Sequence, residues 1–250
     1  MISKNQLKYV RQFEQKKFRK REGLFVAEGI KVVGDLMQRY QPKMLFATHD
    51  YLNAHPFHNA DFEIIEVTAD ELIRLSFQQH PQQVLALFSI PTINYNLSTI
   101  NNKLSLALDG VQDPGNLGTI IRIADWFGIE TIFCSEDTVD AWNPKVVQAT
   151  MGSISRVNLI YINLPQMLDN LPADFPVYGT FLDGRNIYEE PLSQEGLIIM
   201  GNEGNGISDA VRSRVNRRLL IPDFHQGETA DSLNVAIATA ITCSEFCRRK

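Results

Sequence analysis

The sequence predicts an α/β protein in which a small α/β domain precedes a C-terminal domain built on a parallel sheet. Apolar runs of strand length alternate with helical patterns along the chain, and this order produces parallel sheets covered on both faces. The 250 residues fit one large domain or two smaller ones, since domains usually contain about 100 to 200 residues. A polar stretch rich in Asn and Thr interrupts the alternation. We therefore expect domains at residues 1–90 and 104–250, joined by a linker at 91–103.

The first domain begins with a helical pattern and continues as alternating strands and helices. Leu7, Val10 and Phe13 recur at helical spacing among Lys and Arg residues, which predicts an amphipathic helix. Thr68 is followed three residues later by Glu71, a capping-box pattern that predicts the start of a short helix. The other expected elements are the strand LFVAEG, the helix IKVVGDLMQRY and the strands MLFAT, FEIIEV and VLALF.

The second domain shows a longer alternation of the same kind. The expected strands are LSLALDG, TIFCS, SRVNLIYI, VYGTFLDG, GLIIMGNEG and RRLLIPD. The expected helices are LGTIIRIADWFG, PKVVQATMG, PQMLDNL and a closing helix within SLNVAIATAITCSEFCRRK. Since ligands of open parallel sheets bind beyond the carboxyl ends of the strands, functional side chains are expected at those ends.

Composition excludes several classes of protein. The chain is 44% hydrophobic and 21% charged, which is typical of a globular protein. It contains no apolar run of about 18 residues and no secretory signal pattern, so we expect a cytoplasmic protein that does not span a membrane. Its three cysteines form no CxxC pair and His55 and His58 are the only close histidines. We therefore expect neither a disulfide nor a metal site.

Basic charge is concentrated at the N-terminus. Residues 1–22 contain eight Lys or Arg and two Glu, whereas the whole chain has a net charge of -5. Such a cluster suits a polyanion such as a nucleic acid, because each cation near a phosphate releases counterions. An ordinary solvated helix face is the competing interpretation.

Three strand ends carry unusual residues. After LALDG, a turn at residues 113–116 leads into a helix on which Asn116 and Arg122 are about two turns apart, so we expect both to project toward a site at the helix start. After LIIM, Gly201, Gly204 and Gly206 let backbone N–H groups approach a ligand. Their spacing is neither the dinucleotide GxGxxG nor a P-loop.

The third strand end, after LLIP, leads to Ser232 and Asn234 at the start of the closing helix. Each of the three segments also has a purely structural interpretation. Asn116 suits a helix N-cap, Arg122 a surface position and the glycines a tight turn. Ser232 or its neighbour Asp231 could cap the last helix, and Asn234 could satisfy nearby backbone groups.

Taken together, NLGTIIRIAD, IIMGNEGNGIS and LIPDFHQGETADSLNVAIATAI resemble the three motifs of the SpoU (TrmH-like) family of RNA ribose 2'-O-methyltransferases, within the SPOUT class. The resemblance covers about residues 104–249. More loosely, FVAEGIKVVGDL resembles the substrate-binding domain of many members, which implies that residues 1–90 bind the RNA substrate. The family resemblance implies a deep trefoil knot in the C-terminal domain, a homodimer with the site near its interface, and S-adenosylmethionine as cofactor. The cofactor would contact Thr180, Leu182, Met200, Gly201, Asn202, Gly204, Ile221 and Leu233.

The resemblance also implies the reaction. The substrate would be the 2'-hydroxyl of ribosomal RNA or, less favoured, of transfer RNA. The arginine matching Arg122 would act as a base in an unusual environment, or it would hold the adjacent phosphate and stabilise the developing alkoxide. The second role is considered because a guanidinium is effectively always protonated. The remaining motif positions would hold the RNA, the cofactor loop or Arg122; they are Asn116, Glu203, Ser232 and Asn234.

One segment departs from the family pattern. The loop from Asp223 to Asp231 is longer than in many members, which puts its contact with substrate in doubt. Two other functions compete. A catalytically inactive RNA-binding protein with the same fold would be expected to have lost part of the motif set, and a nicotinamide-dependent oxidoreductase would need a glycine motif placed earlier in the chain and an acidic residue for the ribose.

Overall fold

The computed structural model describes residues 2–58, 60–93, 100, 103–225 and 230–248. The chain folds into two compact units. The first unit contains Met1–Thr92 together with Asp140–Ser155, and the second contains Ile93–Val139 and Arg156–Lys250. Of the predicted linker at 91–103, residues 94–99 and 101–102 lie outside the described residues.

The described helices and strands follow one another in the expected alternating order. The helices are α1 (Lys4–Arg11), α2 (Lys16–Glu22), α3 (Ile30–Met37), α4 (His49–Ala54), α5 (Ala69–Leu75), α6 (Pro114–Trp126), α7 (Pro144–Ala149), α8 (Leu164–Asp169), α9 (Asp209–Arg212) and α10 (Val235–Arg248). The strands are β1 (Leu24–Glu28), β2 (Pro42–Ala47), β3 (Glu63–Glu66), β4 (Val84–Ser89), β5 (Leu104–Asp109), β6 (Thr131–Cys134), β7 (Asn158–Tyr161), β8 (Val177–Asn186), β9 (Gly196–Gly201) and β10 (Arg217–Leu220).

The first unit is organised around a four-stranded sheet in the order β1-β4-β2-β3. The central strand β4 is antiparallel to both of its neighbours, whereas β2 and β3 are parallel. The apolar run VLALF of β4 is buried along its length, because a central strand packs on both faces. All four strands predicted for this domain are therefore present.

The N-terminal helix is shorter than its pattern suggests. It ends at Arg11, and Phe13 lies in a 3-10 turn before α2 begins. The helix α4 was not predicted; Thr48 caps it with a side chain that accepts from the backbone N–H of Tyr51. The capping box of Thr68 and Glu71 is confirmed in full.

The basic N-terminal segment contains one buried cation. Arg19 is 2% exposed, and its guanidinium donates to Asp140 Oδ2 from Nε at 2.9 Å and to the carbonyls of Phe13 and Glu14. A buried charge requires such partners to offset its lost hydration. Together with the packing of Trp142 against Phe25 at 4.7 Å between ring centroids, this ion pair explains why residues 140–155 belong to the first unit. A division into consecutive domains does not anticipate that.

We expect Arg19→Ala to lower the free energy of unfolding by about 3–5 kcal/mol, because it leaves Asp140 without its buried partner. Urea denaturation followed by circular dichroism measures the change. Lys20→Ala is the matched control, because Lys20 is the neighbouring exposed cation and its removal should change stability by no more than about 0.5 kcal/mol. Equal stability of the two variants would contradict a structural role for Arg19.

The second unit contains a six-stranded sheet in the order β10-β8-β9-β5-β6-β7. Every adjacent pair of strands is parallel, which confirms the predicted parallel sheet. β9 is buried at all six positions, and this explains its continuous apolar sequence. The threading of the chain into a knot stays a prediction. No helix among the described residues has the length and apolar character needed to cross a membrane.

Candidate active site

The three polar segments predicted from the sequence meet at one edge of the second sheet. β5 and β9 are neighbours and end opposite each other, with Asp109 paired to Gly201. The turn into α6 follows β5, and the glycine-rich loop follows β9. The strand order therefore places side chains about 90 residues apart in sequence within contact of each other.

Asn116, Glu203 and Asn234 form a continuous hydrogen-bond network. Asn234 Nδ2 donates to Asn116 Oδ1 at 2.9 Å, and Asn116 Nδ2 donates to Glu203 Oε1 at 3.0 Å. The network joins one residue from each of the three segments. It brings together three of the five residues proposed for catalysis.

The last helix determines which groups in this network donate and which accept. Asn234 Oδ1 accepts from the backbone N–H groups of Ala236 at 2.9 Å and Ile237 at 3.3 Å, so it caps α10. With its oxygen committed there, only the Nδ2 group of Asn234 remains to face Asn116. Asn116 must then accept with its oxygen and donate with its nitrogen, which requires an acceptor at Glu203. The structural and functional interpretations of Asn234 are thus both satisfied by one side chain.

Glu203 is held as a carboxylate at this position. Burial raises its pKa, but the hydrogen bond from Asn116 and those from the backbone N–H groups of Gln112 and Asp113 together lower the pKa below its ordinary value. The two backbone bonds are 3.3 Å long. An ionised side chain is the species that can accept all of these bonds at once. Glu203 thereby ties the glycine-rich loop to the turn that starts α6.

The loop from Gly201 to Gly206 closes on itself. The N–H of Asn202 donates to the carbonyl of Gly206 at 2.9 Å, and the N–H of Gly206 donates back at 3.0 Å. Asn202 Oδ1 accepts from the N–H groups of Gly204 and Asn205 at 2.9 and 3.0 Å. A Cβ atom on Gly201 would lie 2.3 Å from the carbonyl carbon of Gly206. Gly201 is therefore needed for the loop's own packing, and not only for the approach of a ligand.

A cavity of about 580 Å³ lies beside this loop. All eight residues predicted to contact a cofactor line it: Thr180, Leu182, Met200, Gly201, Asn202, Gly204, Ile221 and Leu233. The register between β10 and β8 jumps from Gly179 to Arg185, so residues 180–184 leave the β10 ladder, and residues 180–183 line the cavity. Leu182 is 76% exposed and Leu233 51% exposed, which provides apolar surface for a ligand.

Ser232 also lines the cavity. Ser232 and Asn234 precede α10, which begins at Val235, so Asn234 and not Ser232 caps the helix that the two residues were expected to open. The loop between Asp223 and Asp231 is described only in part, because residues 226–229 lie outside the described residues. Phe224 is 82% exposed there.

Arg122 is not part of the network. It is exposed on α6, and no hydrogen bond or ion pair joins it to any other described residue. Six residues of helix correspond to a rotation of about 600°, so Arg122 and Asn116 project about 120° apart. Within the single chain the structure thus does not bring Arg122 to the network, and the expectation that both side chains serve one site at the helix start stays a prediction.

Two hydrogen bonds that support the site carry no sequence signal. Asp109 Oδ2 accepts from the N–H of Ser208 at 2.7 Å, and Asn202 Nδ2 donates to the carbonyl of Gly110 at 2.7 Å. These bonds link the ends of β5 and β9. They could be found only once the two strands were known to be neighbours, because the partners are more than 90 residues apart in sequence.

Comparison with known proteins gives two family matches. Residues 103–244 match the model of the SpoU rRNA Methylase family, and residues 4–86 match the MRM3-like substrate binding domain. The first match includes residues 140–155, which pack in the first compact unit. Together the matches cover most of the chain.

Similar proteins include both sequence relatives and solved structures. The 23S rRNA (guanosine(2553)-2'-O)-methyltransferase RlmP of Bacillus subtilis is 37% identical over 177 residues, covering 70% of this chain and 68% of the relative. A structure from Porphyromonas gingivalis assigned to the TrmH family of RNA methyltransferases has a TM-score of 0.90 at 41% identity and covers 100% of both chains. An AdoMet-bound rRNA methyltransferase from Sinorhizobium meliloti has a TM-score of 0.86 at 30% identity, covering 100% of this chain and 97% of the other.

Proposed function

Because the chain belongs to the SpoU rRNA methylase family, we propose that it transfers a methyl group from S-adenosylmethionine to a ribose 2'-hydroxyl of ribosomal RNA. The observation that carries the proposal is the complete network of Asn116, Glu203 and Asn234 beside a ligand-sized cavity. The RlmP relative is named for ribose methylation of 23S rRNA, which supports ribosomal over transfer RNA. The intact network also argues against a binding protein that has lost catalysis.

The residues around the cavity fit the cofactor. The cavity volume of about 580 Å³ lies within the range of about 300–1,000 Å³ that small-molecule sites occupy. Apolar side chains from Leu182 and Leu233 suit the faces of an adenine ring. The closed loop of residues 201–206 supplies backbone groups at fixed positions, so little ordering is needed on binding.

The chain's contribution to the reaction is chiefly orientation. When bound, S-adenosylmethionine supplies a methyl group on a positively charged sulfur, which is already a strong electrophile. Asn116 is held by Glu203 and Asn234 in one orientation and fixes the start of α6. Because a guanidinium is a poor base in general, we favour for Arg122 the role of holding a phosphate and stabilising the developing alkoxide over the role of base. Alignment of the hydroxyl accounts for much of the rate.

The experiment that tests the function is mass-spectrometric mapping of 2'-O-methylated nucleotides in RNA from cells with and without the gene. We expect one ribosomal position to lose its methyl group in the deletion and regain it when the gene is restored. Restoring the Arg122→Ala variant is the control for catalysis. Loss of a methyl group from transfer RNA alone would show that the substrate is transfer RNA and not ribosomal RNA. Unchanged ribose methylation would refute the proposed activity.

We also propose a homodimer. Arg122 and Trp126 are four residues apart on α6 and therefore share one face. Trp126 is 85% exposed and Ile237, on α10, is 53% exposed; the two helices pack against each other. A second copy that covered this face would also place Arg122 at the interface.

We expect Trp126→Glu to convert the dimer into a monomer of 28.3 kDa, because it places a charge at a surface that the partner would bury. Sedimentation equilibrium measures the mass. Tyr188→Glu is the control, because Tyr188 is a 40% exposed aromatic residue in the turn after β8 and belongs to neither α6 nor α10. A parent protein that sediments as a monomer would refute the dimer.

The exposed N-terminal cations are proposed to bind RNA phosphates. Lys16, Lys17 and Lys20 are exposed, whereas Arg19 is buried and belongs to the core. We expect the triple replacement by Gln to weaken RNA binding and to lower the slope of log K against log salt by about 0.9 per lost contact on duplex RNA. Filter binding over a salt series measures the slope. An unchanged slope would assign these lysines to an ordinary solvated helix face.

The cytoplasmic location stays a prediction from the sequence.

A further inference from the structure

We propose that Arg212 binds the carboxylate of the cofactor's amino-acid portion, an inference that rests on the proposed function. Arg212 ends the short helix α9 and lines the cavity that holds the predicted cofactor residues. Arg212 lies outside the three motif segments. A guanidinium is suited to a carboxylate because its planar N–H groups match the two oxygens.

Arg212 belongs to a cluster that carries an excess positive charge. Arg212 Nη2 donates to Asp183 Oδ2 at 2.9 Å, and Arg218 donates to the other oxygen of the same carboxylate. Hydrogen bonding from Arg218, opposed by burial and assisted by the charges of both arginines, lowers the pKa of Asp183. One carboxylate is thus shared by two cations. The cluster keeps one positive charge that no described acidic side chain neutralises.

The aromatic ring of Phe181 fixes both cations. The guanidinium carbon of Arg212 lies 4.7 Å from the ring centroid, and that of Arg218 lies 4.4 Å from it. Phe181 is only 9% exposed, so its ring is held in place by the surrounding side chains. Stacking holds the Arg212 fork in place before a ligand arrives, and the hydrogen bond to Asp183 uses only one of its nitrogens among the described partners.

The charges that line the cavity match those of the ligand. Asp183, Glu203 and Asp231 are acidic, and Arg212 is the one basic side chain among the described lining residues. S-adenosylmethionine carries one carboxylate, one ammonium group and one positively charged sulfur. Their negative charge suits the two positive groups of the ligand without requiring direct contact, which leaves Arg212 as the side-chain partner of the carboxylate.

Arg218 supplies a matched control within the same cluster. It contacts Asp183 and Phe181 as Arg212 does, but it lines a different cleft of about 820 Å³ that contains no predicted cofactor residue. Arg212→Gln and Arg218→Gln therefore remove one charge each from nearly the same place. Only the first removes a group that faces the cofactor cavity.

The test is isothermal titration calorimetry with S-adenosylhomocysteine and with its decarboxylated analogue, 5'-deoxy-5'-(3-aminopropylthio)adenosine. We expect Arg212→Gln to weaken binding of S-adenosylhomocysteine by about 10- to 100-fold, the usual range for hydrogen bonds to a charged group. Binding of the analogue should change less than about threefold. Arg218→Gln should leave both affinities within about threefold of the parent.

Each other outcome overturns the inference in a distinct way. Equal losses in both variants would show that the charge acts through its field and not through contact. An equal loss of both ligands in Arg212→Gln would place Arg212 at the nucleoside or in the structure of the cavity wall. A parent that binds the two ligands equally would leave the cofactor assignment intact while removing the carboxylate site. A parent that binds neither would refute the cofactor assignment as well.

Discussion

Arg122→Ala is expected to lower the single-turnover rate of methyl transfer by about 10² or more without altering cofactor affinity. The side chain is exposed and makes no hydrogen bond or ion pair with the described residues. Removing it should therefore leave stability within about 0.5 kcal/mol of the parent. A loss of rate without a loss of stability is the signature of a group whose partners arrive with the substrate. Single-turnover kinetics on the native RNA and urea denaturation measure the two quantities.

Arg122→Lys distinguishes the two roles left open for this residue. Lys keeps the charge but lacks the planar fork, so an orienting role predicts that most of the activity is lost at every pH. A base role predicts recovery as the pH rises, because lysine loses its proton far more readily than arginine. The pH profile of the single-turnover rate decides between them. Parent-like rates in both variants would remove Arg122 from the mechanism.

Gly201→Val is expected to abolish cofactor binding. Any Cβ at this position would lie 2.3 Å from the carbonyl carbon of Gly206 and 2.4 Å from the nitrogen of Ile207. These are backbone atoms, so the loop itself must move to admit a side chain. Because Glu203 lies in this loop, the network to Asn116 should be displaced with it. Calorimetric titration with S-adenosylhomocysteine measures the loss.

Gly204→Ala is the matched control for the loop. The nearest atom to a Cβ on Gly204 is Asn202 Oδ1, at an ordinary contact distance of 3.6 Å. We expect this variant to fold normally and to keep the two backbone hydrogen bonds between Asn202 and Gly206 that close the loop. Retention of cofactor affinity in Gly201→Val would show that the loop tolerates rearrangement and does not form the binding site.

Local patterns in the sequence predicted local structure well. The capping box at Thr68 formed because its two partners are three residues apart. The apolar runs of β5 and β9 are buried as their composition indicates. The short helix α4 spans only six residues, too few for a helical period to show. The equally short α7 and α8 carry a proline in the first turn, a helix-start signal that α4 lacks. Its cap, Thr48, and Asp50 in its first turn were the available signals.

Long-range pairings could not be predicted from spacing. Arg19 looked like one of several surface cations, because its buried partner Asp140 lies 121 residues away. The order of the parallel strands is not that of the chain, so the bond from Asn116 to Glu203 followed only from the fold. The motifs indicated which residues belong together, while the structure supplied the direction of each hydrogen bond between them.

The ion pair of Arg19 and Asp140 sets a limit on how this protein can be recombined. A chimera that replaces residues 1–90 with the N-terminal domain of a relative would keep Asp140 while losing its buried guanidinium. Trp142 would likewise lose its contact with Phe25. A workable exchange must therefore transplant residues 140–155 together with the N-terminal segment. The exchangeable part of this protein is therefore discontinuous in sequence. One of its two segments, Asp140–Ser155, lies between the two segments of the second unit.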